Sequence, residues 1–62
     1  MKVCIKKAFV AAQRARHVAA ADAVEYRLMG MHVHLVIPGK LPVVMSRTEF
    51  SKLLSDGHLV VL

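Results

Sequence analysis

Apolar and polar residues follow two periods along the chain, and the change of period predicts where strands give way to helices. The alternation typical of a strand is present in "KVCI" and in "MHVHLVI", where His32 and His34 share one face. A turn at Pro38-Gly39 leads into a further strand, and Pro42 indicates that this strand lies at a sheet edge. The last strand is too apolar to be expected on the surface. The predicted strands cover residues 2–5, 31–37, 40–45 and 58–62.

A long helix is predicted over residues 8–29, because alanine is frequent there and no glycine or proline occurs before Gly30. At about 100° per residue most of the alanines fall on one side, although Phe9 and Val10 lie off this stripe. Gly30 suits the position that follows a helix, since glycine adopts a positive φ without steric cost.

An alternative interpretation ends this helix near Asp22, because "DAVE" also has the pattern of a capping box. In that case residues 24–29 are open to a strand assignment.

The second helix has the clearest boundaries in the chain. Ser46 is the expected N-cap, Glu49 follows three residues later, and Phe50 begins an apolar face. Asp56-Gly57 is the expected end. The element order is therefore β-α-β-β-α-β, which predicts an α+β fold with helices on one face of a mostly antiparallel sheet. We expect one domain over residues 1–62, either a compressed ferredoxin-like unit or an arrangement completed by a second copy of the chain.

Composition limits how such a domain is stabilised and what it binds. A chain of 62 residues has a small core, and its single cysteine excludes an internal disulfide, so a partner or a homodimer is expected. The formal net charge of +5 favours acidic partners: a larger acidic protein or nucleoprotein complex, or nucleic acid. The longest uncharged run, Leu28 to Gly39, is too short to span a membrane. No targeting segment is recognised, and we expect a cytoplasmic protein without membrane association.

The candidate binding residues are those that a helix over residues 8–29 would turn toward water, together with the two lysines before it. Such a face would contact phosphates or an acidic protein surface. These candidates are Lys6, Lys7, Gln13, Arg14, Arg16 and His17.

Metal binding and catalysis receive little support from the sequence. Four side chains of metal-ligating type are present, but their spacing matches no recurring zinc motif, and we expect no metal and no cofactor. The scattered acids and the absence of a glycine-rich loop favour a protein that is not an enzyme. The four side chains are Cys4, His32, His34 and His58.

Two functions remain as expectations. The first is a small regulator or inhibitor, of the kind encoded by phages and plasmids, that acts by stoichiometric binding to a larger protein or nucleoprotein partner. The alternative is a basic DNA- or RNA-binding regulator that acts as a homodimer.

Overall fold

Strands dominate the structure, a computed structural model that describes residues 1–12 and 16–62. Within these residues there are seven strands and one helix. In chain order they are β1 (Lys2–Ile5), β2 (Phe9–Ala11), β3 (Arg16–Val18), β4 (Ala21–Met29), β5 (His32–Val36), β6 (Val43–Ser46), α1 (Arg47–Ser55) and β7 (Leu59–Val61).

Five of the strands form one sheet in the order β6-β5-β4-β1-β7, and β2 pairs with β3 in a separate hairpin. Every pairing between these strands is antiparallel. The last strand thus lies beside the first, and β6 and β7 are the two edges of the sheet. Helix α1 follows β6 directly and leads to β7, so it connects one edge of the sheet to the other.

The core lies between one face of this sheet, the β2–β3 hairpin and α1. Alternate residues of each sheet strand point to this inner face, because side chains one residue apart project to opposite sides of a strand. Phe9, Ala11 and Val18 cover the face from the hairpin, and Phe50 covers it from the helix. The sheet residues that belong to this core are Val3, Ile5, Val24, Tyr26, Val33, Leu35, Val43, Met45 and Leu59.

A β-bulge interrupts the pairing of β1 with β4. Val3 is opposite Val24 and Ile5 is opposite Ala21, so the β4 strand has one more residue than β1 over the same interval. The extra residue shifts the alternation of β4, and a bulge of this kind also increases the local twist of the sheet.

Two turns depend on glycine. Gly30 is the first of two residues joining β4 to β5, with φ 62°, and glycine is favoured at this position of tight hairpins. In the β5–β6 loop, the backbone N–H of Lys40 donates to the carbonyl of Ile37 at 3.1 Å, and Gly39 has φ 74°. With Pro38 before it, Gly39 occupies the position of a type II turn that requires a positive φ.

Helix α1 begins and ends as the sequence predicts. The Ser46 hydroxyl accepts a hydrogen bond from the backbone N–H of Glu49 at 3.1 Å, and Asp56 is the C-cap. The Glu49 carboxylate is not used for the reciprocal capping contact. It accepts a hydrogen bond from the backbone N–H of Ala12, at 3.3 Å, and so connects α1 to the end of β2.

The predicted helix over residues 8–29 is wrong for the residues that the structure describes. Residues 9–11, 16–18 and 21–29 are strands, and the alternative assignment of residues 24–29 as strand is confirmed. Alanine favours helix only weakly, and burial of alternate side chains against the sheet outweighs this preference. The β-α-β-β-α-β order is therefore not observed, and the chain forms an α+β domain with a five-stranded antiparallel sheet.

The other predicted strands are observed, but the predicted burial of the last strand is wrong in part. The strand at 2–5 is confirmed, the one predicted at 31–37 covers 32–36, and the one predicted at 40–45 covers 43–46. The strand that follows Pro42 is at an edge, as predicted. The last strand is present, but it is not buried throughout as predicted. Val60 is 41% exposed and Val61 is 51% exposed. Among the described residues, no helix has the length and apolar character needed to cross a bilayer.

Candidate partner-binding cleft

An apolar cleft opens between the β3–β4 connection and the β5–β6 loop. Its volume is about 140 Å³. Most of its lining is aliphatic, with three consecutive alanines, 19–21, together with Ile37 and Val43, and we call these residues its floor. The small alanine side chains leave room at a place where larger residues would fill the space. We call this site the cationic cleft, after the basic residues in its lining.

Three residues that line the cationic cleft have nitrogen-bearing side chains, and we call them its rim: Arg16, His17 and Lys40. Arg16 is half-buried, while His17 and Lys40 are exposed. None of the described residues that line the cleft is acidic. The site therefore combines an apolar floor with a positive rim, which suits an apolar group that has negative charge beside it.

A hydrogen bond spans the cationic cleft. The Arg16 guanidinium donates through Nη1 to the carbonyl of Leu41 at 3.4 Å, joining β3 to the loop before β6. A guanidinium has five N–H donors, and this bond uses one of them. Leu41 itself is 66% exposed, so its aliphatic side chain adds accessible apolar surface to the rim.

The structure brings together only part of the predicted basic face. Arg16 and His17 lie at the cationic cleft, but on a strand rather than on a helix. Lys6 and Lys7 do not line it. They lie in the β1–β2 connection, where both backbone N–H groups donate to the carbonyl of His58, at 2.7 and 3.4 Å. Gln13 and Arg14 lie outside the described residues.

His32 and His34 lie on the outer face of the sheet, as the strand assignment predicts. In the register of β4 with β5, His34 is opposite Arg27 and His32 is opposite Met29. Arg27 forms an exposed ion pair with Glu25, with 3.1 Å between Nε and Oε1. A guanidinium beside the imidazoles disfavours a further cation at this place.

The other two side chains of metal-ligating type have different surroundings. Cys4 is buried in β1, and its thiol is 3.6 Å from the carbonyl of Ala21. The ring of His58 packs edge-on against Phe9, and its buried Nδ1 has no hydrogen-bond partner among the described residues. In the part of the chain that the structure describes, no three His, Cys, Asp or Glu side chains are grouped so that they could hold a metal ion.

Sequence reasoning missed Lys40, Leu41 and the alanine floor as parts of a site. Both residues fall in the strand predicted over residues 40–45, whereas the structure places them in the loop before β6. Their position beside Arg16 does not follow from the sequence, because the contact spans 25 residues and depends on how the β2–β3 hairpin folds back over the sheet.

Comparison of the chain with models of protein families, with curated proteins and with solved structures gives no significant match.

Proposed function

We propose that this protein is a small, non-enzymatic regulator or inhibitor that binds a larger acidic protein or nucleoprotein partner stoichiometrically, through the cationic cleft. The observation that carries the proposal is the pairing of an aliphatic floor with a rim of Arg16, His17 and Lys40. The net charge of +5 supports the same sign of partner.

The floor sets the kind of group that enters. A cleft of about 140 Å³ is close to the apolar cavity of about 150 Å³ that takes up benzene in an engineered protein. It suits one aliphatic or phenyl side chain of the partner. Such an anchor, inserted in a desolvated recess, carries much of the affinity of a protein interface.

The rim sets the chemistry around the anchor. Carboxylates that flank the inserted side chain would meet the Arg16 guanidinium and the Lys40 ammonium group. Rim charges mainly raise the association rate and exclude wrong partners, while the buried anchor slows dissociation. The proposed ligand is therefore an acidic segment with one central apolar residue.

A labelled acidic peptide with a central leucine is a direct probe of this proposal. We expect it to bind, and to shift the NMR signals of Ile37, Leu41 and Val43. The double substitution Arg16→Glu, Lys40→Glu should reduce the affinity at least about tenfold, because it reverses both rim charges.

Two controls separate the cationic cleft from overall charge. Lys6→Glu, Lys7→Glu makes the same change of charge at residues that do not line the cleft, and this variant should bind nearly as tightly as the unaltered chain. A peptide with glycine in place of the central leucine should bind more weakly. Equal losses in both double variants, or equal binding of both peptides, would refute the cleft as the site.

A basic DNA- or RNA-binding homodimer is the second candidate, and the net charge of +5 favours it. A salt titration with an oligonucleotide tests it, since binding driven by phosphates weakens linearly in a plot of log affinity against log salt. Arg16→Ala should then reduce both the affinity and the slope. The apolar cleft favours the protein partner, because its lining is mainly aliphatic and no Phe, Tyr or Trp lines it among the described residues.

A cytoplasmic location is part of the proposal. The expected homodimer also remains a proposal.

A further inference from the structure

We propose that the outer edge of β7 pairs with β7 of a second copy, so that two five-stranded sheets join into one continuous antiparallel sheet across a two-fold axis. The site is separate from the cationic cleft, and neither proposal depends on the other.

The register of β7 with β1 shows which backbone groups face outward. Val60 is opposite Cys4, and the N–H of Leu62 donates to the carbonyl of Lys2 at 3.0 Å. In an antiparallel ladder only every second residue bonds to a given neighbour. Val60 therefore bonds toward β1, and the N–H and C=O groups of Leu59 and Val61 point away from it. No partner for these four groups is found among the described residues.

This edge has none of the features that usually keep strand edges apart. Natural edge strands carry lysine, proline or a bulge that discourages pairing. The sequence from Leu59 to Leu62 is "LVVL", with no charge and no proline, and Val60, Val61 and Leu62 are 41%, 51% and 66% exposed. The opposite edge differs, since Pro42 precedes β6 and the β2 strand packs against β6.

A second copy fits this edge in one register that uses every outward group. With Val60 opposite Val60 of the other copy, Leu59 of each chain lies opposite Val61 of the other. The two outward residues of each chain then exchange four backbone hydrogen bonds. On the outer face the two Val60 side chains meet, and on the inner face each Val61 meets a Leu59. All of these cross-strand pairs are aliphatic, and pairs of this kind stabilise a sheet.

Substitution by proline distinguishes the edges. Val61→Pro removes an N–H that faces away from β1, so the ladder inside each chain is kept while two of the four hydrogen bonds between chains are lost. Val44→Pro is the matched control on β6. The N–H of Arg47 donates to the carbonyl of Met31, so in the same ladder the N–H of Val44 also faces outward.

Sedimentation velocity over a dilution series reaching millimolar concentration measures the outcome. We expect a concentration-dependent dimer for the unaltered chain and for Val44→Pro. Val61→Pro should raise the dimer dissociation constant at least about tenfold. Val60→Lys is a second test that leaves the backbone intact, because it places two ammonium groups opposite each other, and Val10→Lys adds the same charge at an exposed valine elsewhere.

Amide exchange provides a readout that does not depend on any variant. In a single chain the amides of Leu59 and Val61 face solvent while that of Val60 is protected, and dimerisation should add protection at Leu59 and Val61 only. A chain that remains monomeric throughout the dilution series would overturn the proposal. This conclusion would hold even if a strand from a different protein were later found to pair with β7. A dimer dissociated by Val44→Pro but not by Val61→Pro would also overturn it and would assign the interface to β6.

Discussion

The ring of Tyr26 on β4 lies against the ring of Phe50 on α1, with 5.2 Å between their centroids and 37° between their planes. Phe50 is the buried residue of the helix, so this contact holds α1 on the sheet. Aromatic pairs at this separation contribute about 0.5–1.5 kcal/mol beyond the burial of their area.

Replacement of Phe50 should therefore destabilise the whole domain. We expect Phe50→Ala to cost about 3–5 kcal/mol, which is comparable with the total stability of a small domain. Phe50→Leu should cost less, because it retains most of the buried volume. Urea unfolding followed by circular dichroism measures both. A loss below about 1 kcal/mol for Phe50→Ala would mean that α1 does not depend on this contact.

The Ser46 cap gives a smaller and more local effect. Ser46→Ala removes the oxygen that accepts from the backbone N–H of Glu49 and should cost about 1 kcal/mol. Ser46→Asp should restore most of the stability, since a carboxylate also caps a helix. Ser51→Ala is the matched control within α1, where the exposed serine caps nothing, and it should be neutral or slightly stabilising. Equal losses in the two alanine variants would be evidence against the capping interaction.

Gly39 should tolerate asparagine better than alanine. Its φ of 74° lies in the left-handed region, where a non-glycine residue costs about 1–2 kcal/mol and asparagine costs less. Beyond the two neighbouring residues, no atom lies within 4 Å of a Cβ built at this position, so the penalty comes from the local backbone and not from a clash with the rest of the domain. Thermal unfolding of Gly39→Ala and Gly39→Asn tests the difference, and equal midpoints would contradict the turn assignment.

Cys4 offers a chemical probe of sheet opening, because it is the only cysteine in the chain. Its side chain is 9% exposed, on a strand paired on both sides, so a thiol reagent should reach it only after β1 opens. We expect labelling in native buffer at least about a hundred times slower than in denaturant. The exposed reference is Val10→Cys in a Cys4→Ala background, since Val10 is 61% exposed. Similar rates for the two thiols would show that Cys4 is accessible.

The sequence predicts an element correctly where interactions between residues close in the sequence determine its structure. The Ser46 cap and the alternation around Val33 act over a few residues, and both are confirmed. The helix predicted over residues 8–29 is wrong, because the alanines favour a helix locally whereas the strands that form there gain their stability from distant pairing partners. The bulge opposite Cys4 also breaks the alternation that would have identified β4 as a single long strand.

The same distinction explains the candidate site. Arg16 and His17 were identified as exposed basic residues, a property that charge patterning reveals. The cationic cleft also needs Lys40 and Leu41, which come near them only when the β2–β3 hairpin covers the sheet. The hydrophobic periodicity of the chain does not reveal that Lys40 and Leu41 lie near Arg16 and His17.

The pairing of β1 with β7 has a consequence for how the chain acquires its structure. These strands are the first and last elements of the described order, so their contact closes the longest loop in the molecule. Loops of that length are formed late, because the entropy lost on closure precedes the gain from pairing. During synthesis on a ribosome, one edge of β1 therefore stays unpaired until β7 has emerged from the exit tunnel. In that interval the unpaired edge can form backbone hydrogen bonds with any other extended segment.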